Sequence, residues 1–437
     1  MKRSMGGDAD MFEWRNAQSL VGMVLILGLC WAVSEDRRRF PFKLALGALA
    51  VQVALVLLLF GAPAAQGVLR GVGKGVDGLG AAASAGAAFV FGFLAGGPDQ
   101  PYLVNNPASL FVFAFHVLPV ILVVCALSAL LWHWRILKWI TQGFGLLFQK
   151  TFGLRGPPAL ACAATVFMGQ VEGAIFIRAY LDLLTRSELF MLLSIGMACV
   201  SGSTMVAYAA ILKGVLPDAA AHVLAASIIS APAGVLLARI IVPPDPIEKQ
   251  RAFDPHVGDR TYGSSIDAVI KGAGDGLTVV LNVAATLIVF VALVNLLDQG
   301  LSLLPPIAGA PISIERVLGA LFTPLAWAIG IPWREASAAG DLLGVKLVLT
   351  EFSAFIQMSH ASTAALSDRS RMIMTYALCG FGNIASVGIN VAGYSVLAPH
   401  RRLEVMSLIW KALMAGFLAT CLTAAVVAAL PSSLFGG

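Results

Sequence analysis

The sequence predicts an all-α polytopic membrane protein of about eight transmembrane helices plus two re-entrant helical hairpins, its halves related as an inverted repeat. Three observations carry this expectation. The 437 residues are 58% hydrophobic, with a mean hydropathy of +0.85. Only 12% are charged, against about 25% in ordinary globular domains, so this much apolar surface cannot be hidden in one soluble core. Finally, two apolar blocks, 157–180 and 312–355, are interrupted mid-length by polar residues where a plain span is apolar throughout.

Taken in order, residues 1–15 mix acids and bases and hold no short apolar core ending in a small-residue cleavage site. No removable signal peptide is expected, and the first apolar run stays as a span. A window of about 20 residues crosses roughly 30 Å of hydrocarbon; it finds clean spans near 20–33, 44–64 and 110–132. A basic stretch, 35–43, and a Gly/Ala-rich segment, 67–97, separate them. Over residues 134–152, Arg135, Lys138 and Lys150 alternate with Trp139, Phe144 and Phe148, which reads as an amphipathic helix lying in the interface.

The pattern then changes. Gly169-Gln170-Val171-Glu172 breaks the first interrupted block, and Ile331-Pro332-Trp333-Arg334-Glu335 breaks the second, where it is expected to shape the tip of a hairpin. Non-helical backbone at membrane depth survives only where protein buries it or a watery cavity satisfies its N–H and C=O groups, so a broken block in each half points to a site. Similar punctuation follows each block: Leu184-Thr185-Arg186-Ser187-Glu188, in which Thr185 and Glu188 fit a capping box, and Leu366-Ser367-Asp368-Arg369-Ser370. Each following span carries a polar or small interruption, at 199–204 and at 383–386. This layout is what implies the repeat.

The net charge of +5 comes from basic clusters beside the apolar runs, which suits membrane orientation and implies no nucleic-acid partner. Arg37, Arg38, Arg39, Lys43, Arg135, Lys138, Lys249, Arg251, Arg401 and Arg402 fall on one side if both hairpins return to their own side, with the chain beginning and ending outside. The six cysteines, Cys30, Cys125, Cys162, Cys199, Cys379 and Cys421, lie in or beside apolar runs without a pairing or ligand spacing. Neither disulfides nor a metal site nor any cofactor is expected.

Glu172 and Glu351 sit at bilayer depth, where an ionisable side chain costs several kcal/mol, roughly 3 on insertion scales, and is retained for a polar ligand or an ion. From spacing alone Glu172 reads equally as a partner of Arg178, and Glu351 as a partner of Lys346 near the membrane surface. Asn383 and Ser386 read also as bonds between packed helices, Phe381 as core, and His116 as a satisfied core histidine. An intramembrane enzyme is a rival, but no His-Glu-x-x-His, Gly-x-Ser-x-Gly or Asp-rich cluster appears. A channel is another.

Over roughly residues 134–430 the chain resembles the concentrative nucleoside transporters. The resemblance rests on Gly169-Gln170-x-Glu172, Arg178-x-Tyr180, Ser187-Glu188-Leu189, Glu351-Phe352-x-Ala354, and the run Ala377-Leu378-Cys379-Gly380-Phe381-Gly382-Asn383 followed by Ser386-x-Gly388-Ile389. It implies a homotrimer whose protomers pair a scaffold with a mobile, elevator-like transport domain. Residues 1–156 then form the N-terminal transmembrane helices and interfacial helix of the scaffold, and 157–241 the first hairpin and following helices. Residues 242–300 form a cytoplasmic loop and a scaffold helix, and 301–437 the second hairpin and last two helices. The implied activity is import of nucleosides, uridine-like ones among them, across the inner (plasma) membrane.

Carried over position by position, Gln170 and Glu172 resemble nucleobase contacts, while Glu351, Asn383 and Ser386 resemble ribose contacts. Phe381 packs near the base and Thr204 lines the same pocket. The chemistry suits this, since an amide offers a donor and an acceptor to a base edge and a carboxylate accepts from a ribose hydroxyl. The chain departs from the sodium-dependent pattern at Thr165, where Asn is usual, and at Cys199, where a hydroxyl is usual. Sulfur is a poor ligand for a hard cation, so proton coupling through Glu172 or Glu351 is expected, with Na+ as the alternative. Val171 and Thr350 replace a Thr and an Asn, which leaves base preference open.

Overall fold

The structure, a computed structural model, describes residues 14–97, 112–116, 118–154, 156–175, 177–212, 214–216, 218–244, 262–306, 312–359 and 366–435. Every regular element among them is a helix, as expected where lipid leaves the backbone no other partner than itself. Helix α1 (Trp14–Ala32) is followed by α2 (Phe42–Val56), which continues through a π turn, Leu57–Gly61. The Gly/Ala-rich segment, expected to separate spans, belongs instead to a single helix of 29 residues, α3 (Pro63–Phe91). Glycine disfavours helix in water, but in hydrocarbon the helix satisfies every N–H and C=O, and Gly78–Ala95 is apolar enough to span. Pro63 opens it at a position where the missing N–H costs nothing.

The chain continues through α4 (Phe113–His116), α5 (Leu118–His133) and α6 (Ile136–Phe152). Helix α6 forms where an amphipathic helix is expected, with Trp139, Ile140, Leu146 and Leu147 exposed along it. The first hairpin is α7 (Gly156–Met168) and α8 (Glu172–Ile175), joined by a tip at 169–171. A broken helix follows, α9 (Arg186–Ala198) and α10 (Gly202–Leu212), then α11 (Ala219–Ile241) and the long α12 (Ser265–Leu301). Helices α13 (Ile314–Ala328), α14 (Trp333–Val348), α15 (Glu351–Ser359), α16 (Asp368–Leu378), α17 (Ile384–Leu397) and α18 (Arg402–Ala428) complete the fold. Five helical stretches among the described residues are long and apolar enough to cross a membrane. Two of them, in α11 and α18, are buried almost throughout and form the centre around which the others pack.

One expectation is corrected here. Residues 331–335 are not a hairpin tip: they make the turn from α13 into α14, with Trp333 exposed on the surface. Glu335 there accepts from the backbone N–H of Ser367 at 3.0 Å and its hydroxyl at 2.9 Å, tying the turn to the start of α16. The second tip lies at 349–350, between α14 and α15. The Pro in the turn masked this, because proline ends helices as readily at a surface turn as at a buried tip. With the tip moved, the halves correspond: each hairpin ends on a glutamate opening its second helix, Glu172 or Glu351, and each is followed by a capped and broken helix. The capping box of α9 is complete, Thr185 receiving the Glu188 N–H and Glu188 receiving that of Thr185.

Helix α18, about 40 Å long at 1.5 Å per residue, shows the two halves to be inverted. Helix α9 begins beside its start, where Arg186 donates to Ser407 at 3.3 Å, and reaches Gly416 by Met197. Helix α16 begins at its far end, where Arg369 donates to the Ala428 carbonyl at 2.9 Å, and runs back toward Thr420. The two therefore pass α18 in opposite directions and break near its middle. In the α1–α2 loop, Glu35 pairs with Arg186 at 3.0 Å and Lys411 at 2.9 Å. Its carboxyl is held below the usual range chiefly by the bond from Arg186, against a smaller opposing effect of burial.

A Cβ on Gly416 would overlap Met197, whereas one on Gly86 would meet nothing. Gly416→Val is expected to cost about 1–3 kcal/mol through overpacking, while Gly86→Ala is expected to be neutral or mildly stabilising; thermal unfolding of the purified protein in detergent measures both.

Candidate functional site

The site is built where the two broken helices cross. Helix α9 stops at Ala198 and α10 starts at Gly202; α16 stops at Leu378 and α17 starts at Ile384. The breaks touch: the Phe381 N–H donates to the Cys199 carbonyl at 3.4 Å, and a Cβ on Gly380 would overlap the Ala198 carbonyl. Such a crossing gathers helix C-terminal carbonyls and N-terminal N–H groups in one place, with partial charges of both signs available to a polar ligand.

Around it the polar side chains bind one another. Asn383 caps α17 by accepting the Ser386 N–H at 2.9 Å on its Oδ1, which leaves its amide nitrogen to donate to Glu351 Oε2 at 2.5 Å. The Tyr208 hydroxyl donates to the other oxygen of Glu351 at 2.6 Å. Both carboxylate oxygens are thus held by neutral donors, and Glu351 stands at the start of α15, where the helix dipole favours negative charge. Thr204, one turn before Tyr208, bonds to Ser201.

From the first tip, which turns on Gly169 at φ 123°, Gln170 reaches over to α17. Its Nε2 lies 3.4 Å from Ser386 Oγ, and its Oε1 accepts from Asn390 Nδ2 at 2.8 Å. The Oδ1 of Asn390 is buried and has no partner among the described residues. Gln170, Thr204, Glu351, Asn383 and Ser386 are all buried, so the structure brings these five expected residues into one enclosed cluster. Phe381 lies in the break itself, half-buried, linked through its backbone. The backbone of Glu172 opens α8 beside Gln170; its side chain, and that of Arg178, lie outside the described residues.

Thr165 and Cys199 flank a second junction, between the first hairpin and the α9–α10 break. The Thr165 hydroxyl donates to the Ala161 carbonyl at 2.8 Å, and the Cys199 thiol faces the Ser227 carbonyl at 3.5 Å. The Ser227 hydroxyl, from α11, lies 3.2 Å from the Val166 carbonyl and 3.4 Å from that of Val200. The alternative pairing of Glu351 with Lys346 is not what forms: Lys346 Nζ donates instead to the Ala377 carbonyl at 2.7 Å and to Thr420 at 2.8 Å. His116 bonds the Val112 carbonyl at 3.1 Å but is only half-buried, so it is not the core histidine expected.

Sequence reasoning missed Tyr208, Asn390 and Ser227. Asn390 was findable, since it follows Ser386 by four residues and Asn383 by seven and so shares their helix face. Tyr208 follows Thr204 by the same four-residue step. Ser227 gave no signal, because a lone serine in an apolar helix has no pattern.

Comparison with known proteins agrees with this architecture. The family model described as the C-terminus of Na+ dependent nucleoside transporters matches residues 222–428, its N-terminal counterpart matches 21–94, and a "Nucleoside recognition" gate model matches 114–215. The chain is 35% identical over 410 residues to the uncharacterized transporter YutK of Bacillus subtilis, covering 93% of this chain and 97% of that one. It is 31% identical to the nucleoside permease NupC of Helicobacter pylori, over 93% of this chain and 96% of that one. The chain belongs to the concentrative nucleoside transporter family. Among solved structures, CNTnw in an inward-facing substrate-bound state superposes with a TM-score of 0.86 at 32% identity, covering 97% of this chain and 98% of that one. A substituted form of the same protein in an outward-facing state gives 0.87 at 31% identity, with the same coverage. Members of this family are integral plasma-membrane transporters, not enzymes, and the chain is accordingly a nucleoside transporter of alternating access.

Tyr208→Phe removes one of the two donors on a buried carboxylate. It is expected to destabilise the purified transporter by about 1.5–3 kcal/mol, the range for hydrogen bonds to charged groups, read as a lowered unfolding midpoint without ligand.

Proposed function

We propose that this transporter is a proton-coupled nucleoside symporter that imports nucleosides across the inner membrane by an elevator-type movement, with the cluster at the crossing as its binding pocket. The observation that carries the reading is the mutual hydrogen bonding of Gln170, Asn390 and Ser386 on one side and Tyr208, Glu351 and Asn383 on the other. Every one of these bonds can be exchanged for one to a nucleoside. Gln170 and Asn390 offer donors and acceptors to a base edge, the Asn390 Oδ1, which has no partner among the described residues, being ready to accept a base N–H. Glu351 accepts from ribose hydroxyls, with Asn383 and Ser386 beside it, and Glu172, Thr204 and Phe381 complete the pocket. Nucleoside entry therefore replaces bonds instead of stranding polar groups.

The driving ion is assigned on the junction at Thr165 and Cys199. The Thr165 hydroxyl already serves Ala161, a thiol replaces a hard oxygen, and the Ser227 hydroxyl occupies the space beside the Val166 and Val200 carbonyls. These features favour a proton, carried by Glu172 or Glu351, over sodium. The Na+ dependence in the description of the matching family model supports the second reading. The outward apolar side chains of α12, Ile266, Leu277, Ile288 and Leu296, suit lipid or neighbouring protomers of a homotrimer in which the flanking helices form the scaffold.

Glu351→Gln is expected to weaken nucleoside binding about 10- to 100-fold, the loss of one to two charge-assisted bonds; calorimetry with uridine checks it, and unchanged affinity removes Glu351 from the pocket. In proteoliposomes, uridine uptake is expected under an inward proton gradient without sodium, and uptake under a sodium gradient alone contradicts proton coupling.

A further inference from the structure

Lys346 is the one lysine buried among the described residues, and it is fully enclosed. It stands in the last turn of α14, five positions before Glu351, on the inner arm of the second hairpin. A buried ammonium at this depth is retained only where its charge is answered. Here the answer comes from backbone, hydroxyl and ring. The nitrogen donates to the Ala377 carbonyl in the last turn of α16, the negative end of that helix dipole, at 2.7 Å. It donates to Thr420 of α18 at 2.8 Å, and it lies 5.3 Å from the centre of the Phe417 ring, a cation–π distance. It makes no direct bond to Glu351, whose two oxygens are held by Tyr208 and Asn383.

The position has a counterpart in the other half. There the corresponding junction joins the first hairpin to the α9–α10 break, at the Val166 and Val200 carbonyls bridged by Ser227. In the second half the bridging group is a full positive charge, and it sits on the end of the helix whose break supplies Asn383.

We propose that Lys346 is a tethered cation: it clamps the second hairpin onto the α16–α17 break and so positions Glu351 for the nucleoside, doing covalently what a bound ion would do at that junction. It touches no substrate and acts through Glu351, so the proposal rests on the reading of Glu351 as a substrate ligand. Two consequences follow. The second junction needs no external ion to close, and removing the side chain leaves a cation-sized seat lined by the Ala377 carbonyl, the Thr420 hydroxyl and the Phe417 ring.

The test is chemical rescue in the full-length protein. Lys346→Ala, purified in detergent, is expected to bind uridine at least 10-fold more weakly than wild type, and methylammonium is expected to restore affinity in a saturable way while choline at equal ionic strength is not. Uridine affinity within twofold of wild type overturns the proposal, and so does a loss that methylammonium and choline affect alike, since a purely structural lysine would behave that way. Thr420→Val keeps the charge and removes one of its holders; it is expected to bind uridine several-fold more weakly and to ignore methylammonium, and wild-type affinity in it also counts against the clamp. Glu351→Gln measured alongside separates the two readings. Unchanged affinity there brings down the pocket itself, whereas lost affinity there with intact affinity in Lys346→Ala brings down only the clamp.

Discussion

Interrupting a helix inside a membrane exposes N–H and C=O groups that lipid cannot satisfy. This chain interrupts two of them, α9–α10 and α16–α17, and brings the interruptions into contact, so that Phe381 and Cys199 bond across the crossing. The close approach demands glycine at 380 and 416, where a Cβ would enter Ala198 or Met197. The hairpin tips then close over the same point, Gln170 from one side and Glu351 from the other. Elsewhere the helices need only be apolar and long enough; here the polar groups must answer one another.

That constraint explains why the polar side chains are so thoroughly interlocked. Asn383 serves two ends at once: it caps α17 through the Ser386 N–H and holds Glu351. In a pocket where each bond has a protein partner, a ligand that offers both donors and acceptors can trade places with those partners at small net cost, while an apolar one cannot. Under the proposed reading of the cluster as the pocket, selectivity for a sugar-linked base over other solutes follows from this exchange. The solved inward- and outward-facing relatives show the alternating access that a transporter of this family carries out.

Much of this was legible in the sequence. The interrupted blocks, the matching punctuation at 184–188 and 366–370, and the interruptions at 199–204 and 383–386 record the repeat in the sequence. What was not legible came from signals with two meanings. Pro332 marks a surface turn and read as a tip, whereas the real tip at 349–350 carries neither Gly nor Pro. The Gly-rich α3 read as a connector because glycine's cost in water does not transfer to lipid. Tyr208 and Lys346 were invisible as partners, since each meets its neighbours across more than thirty residues of chain, and Glu351 found Tyr208 and Asn383 in place of the nearby lysine.

The most direct measurement is an experimental structure of the protein with a nucleoside bound. The account requires the ribose hydroxyls within hydrogen-bonding distance of Glu351 and Asn383, the base edge against Gln170 and Asn390, and the Tyr208 and Gln170 bonds rearranged around it. A nucleoside held anywhere else, with this cluster still closed on itself, would contradict it.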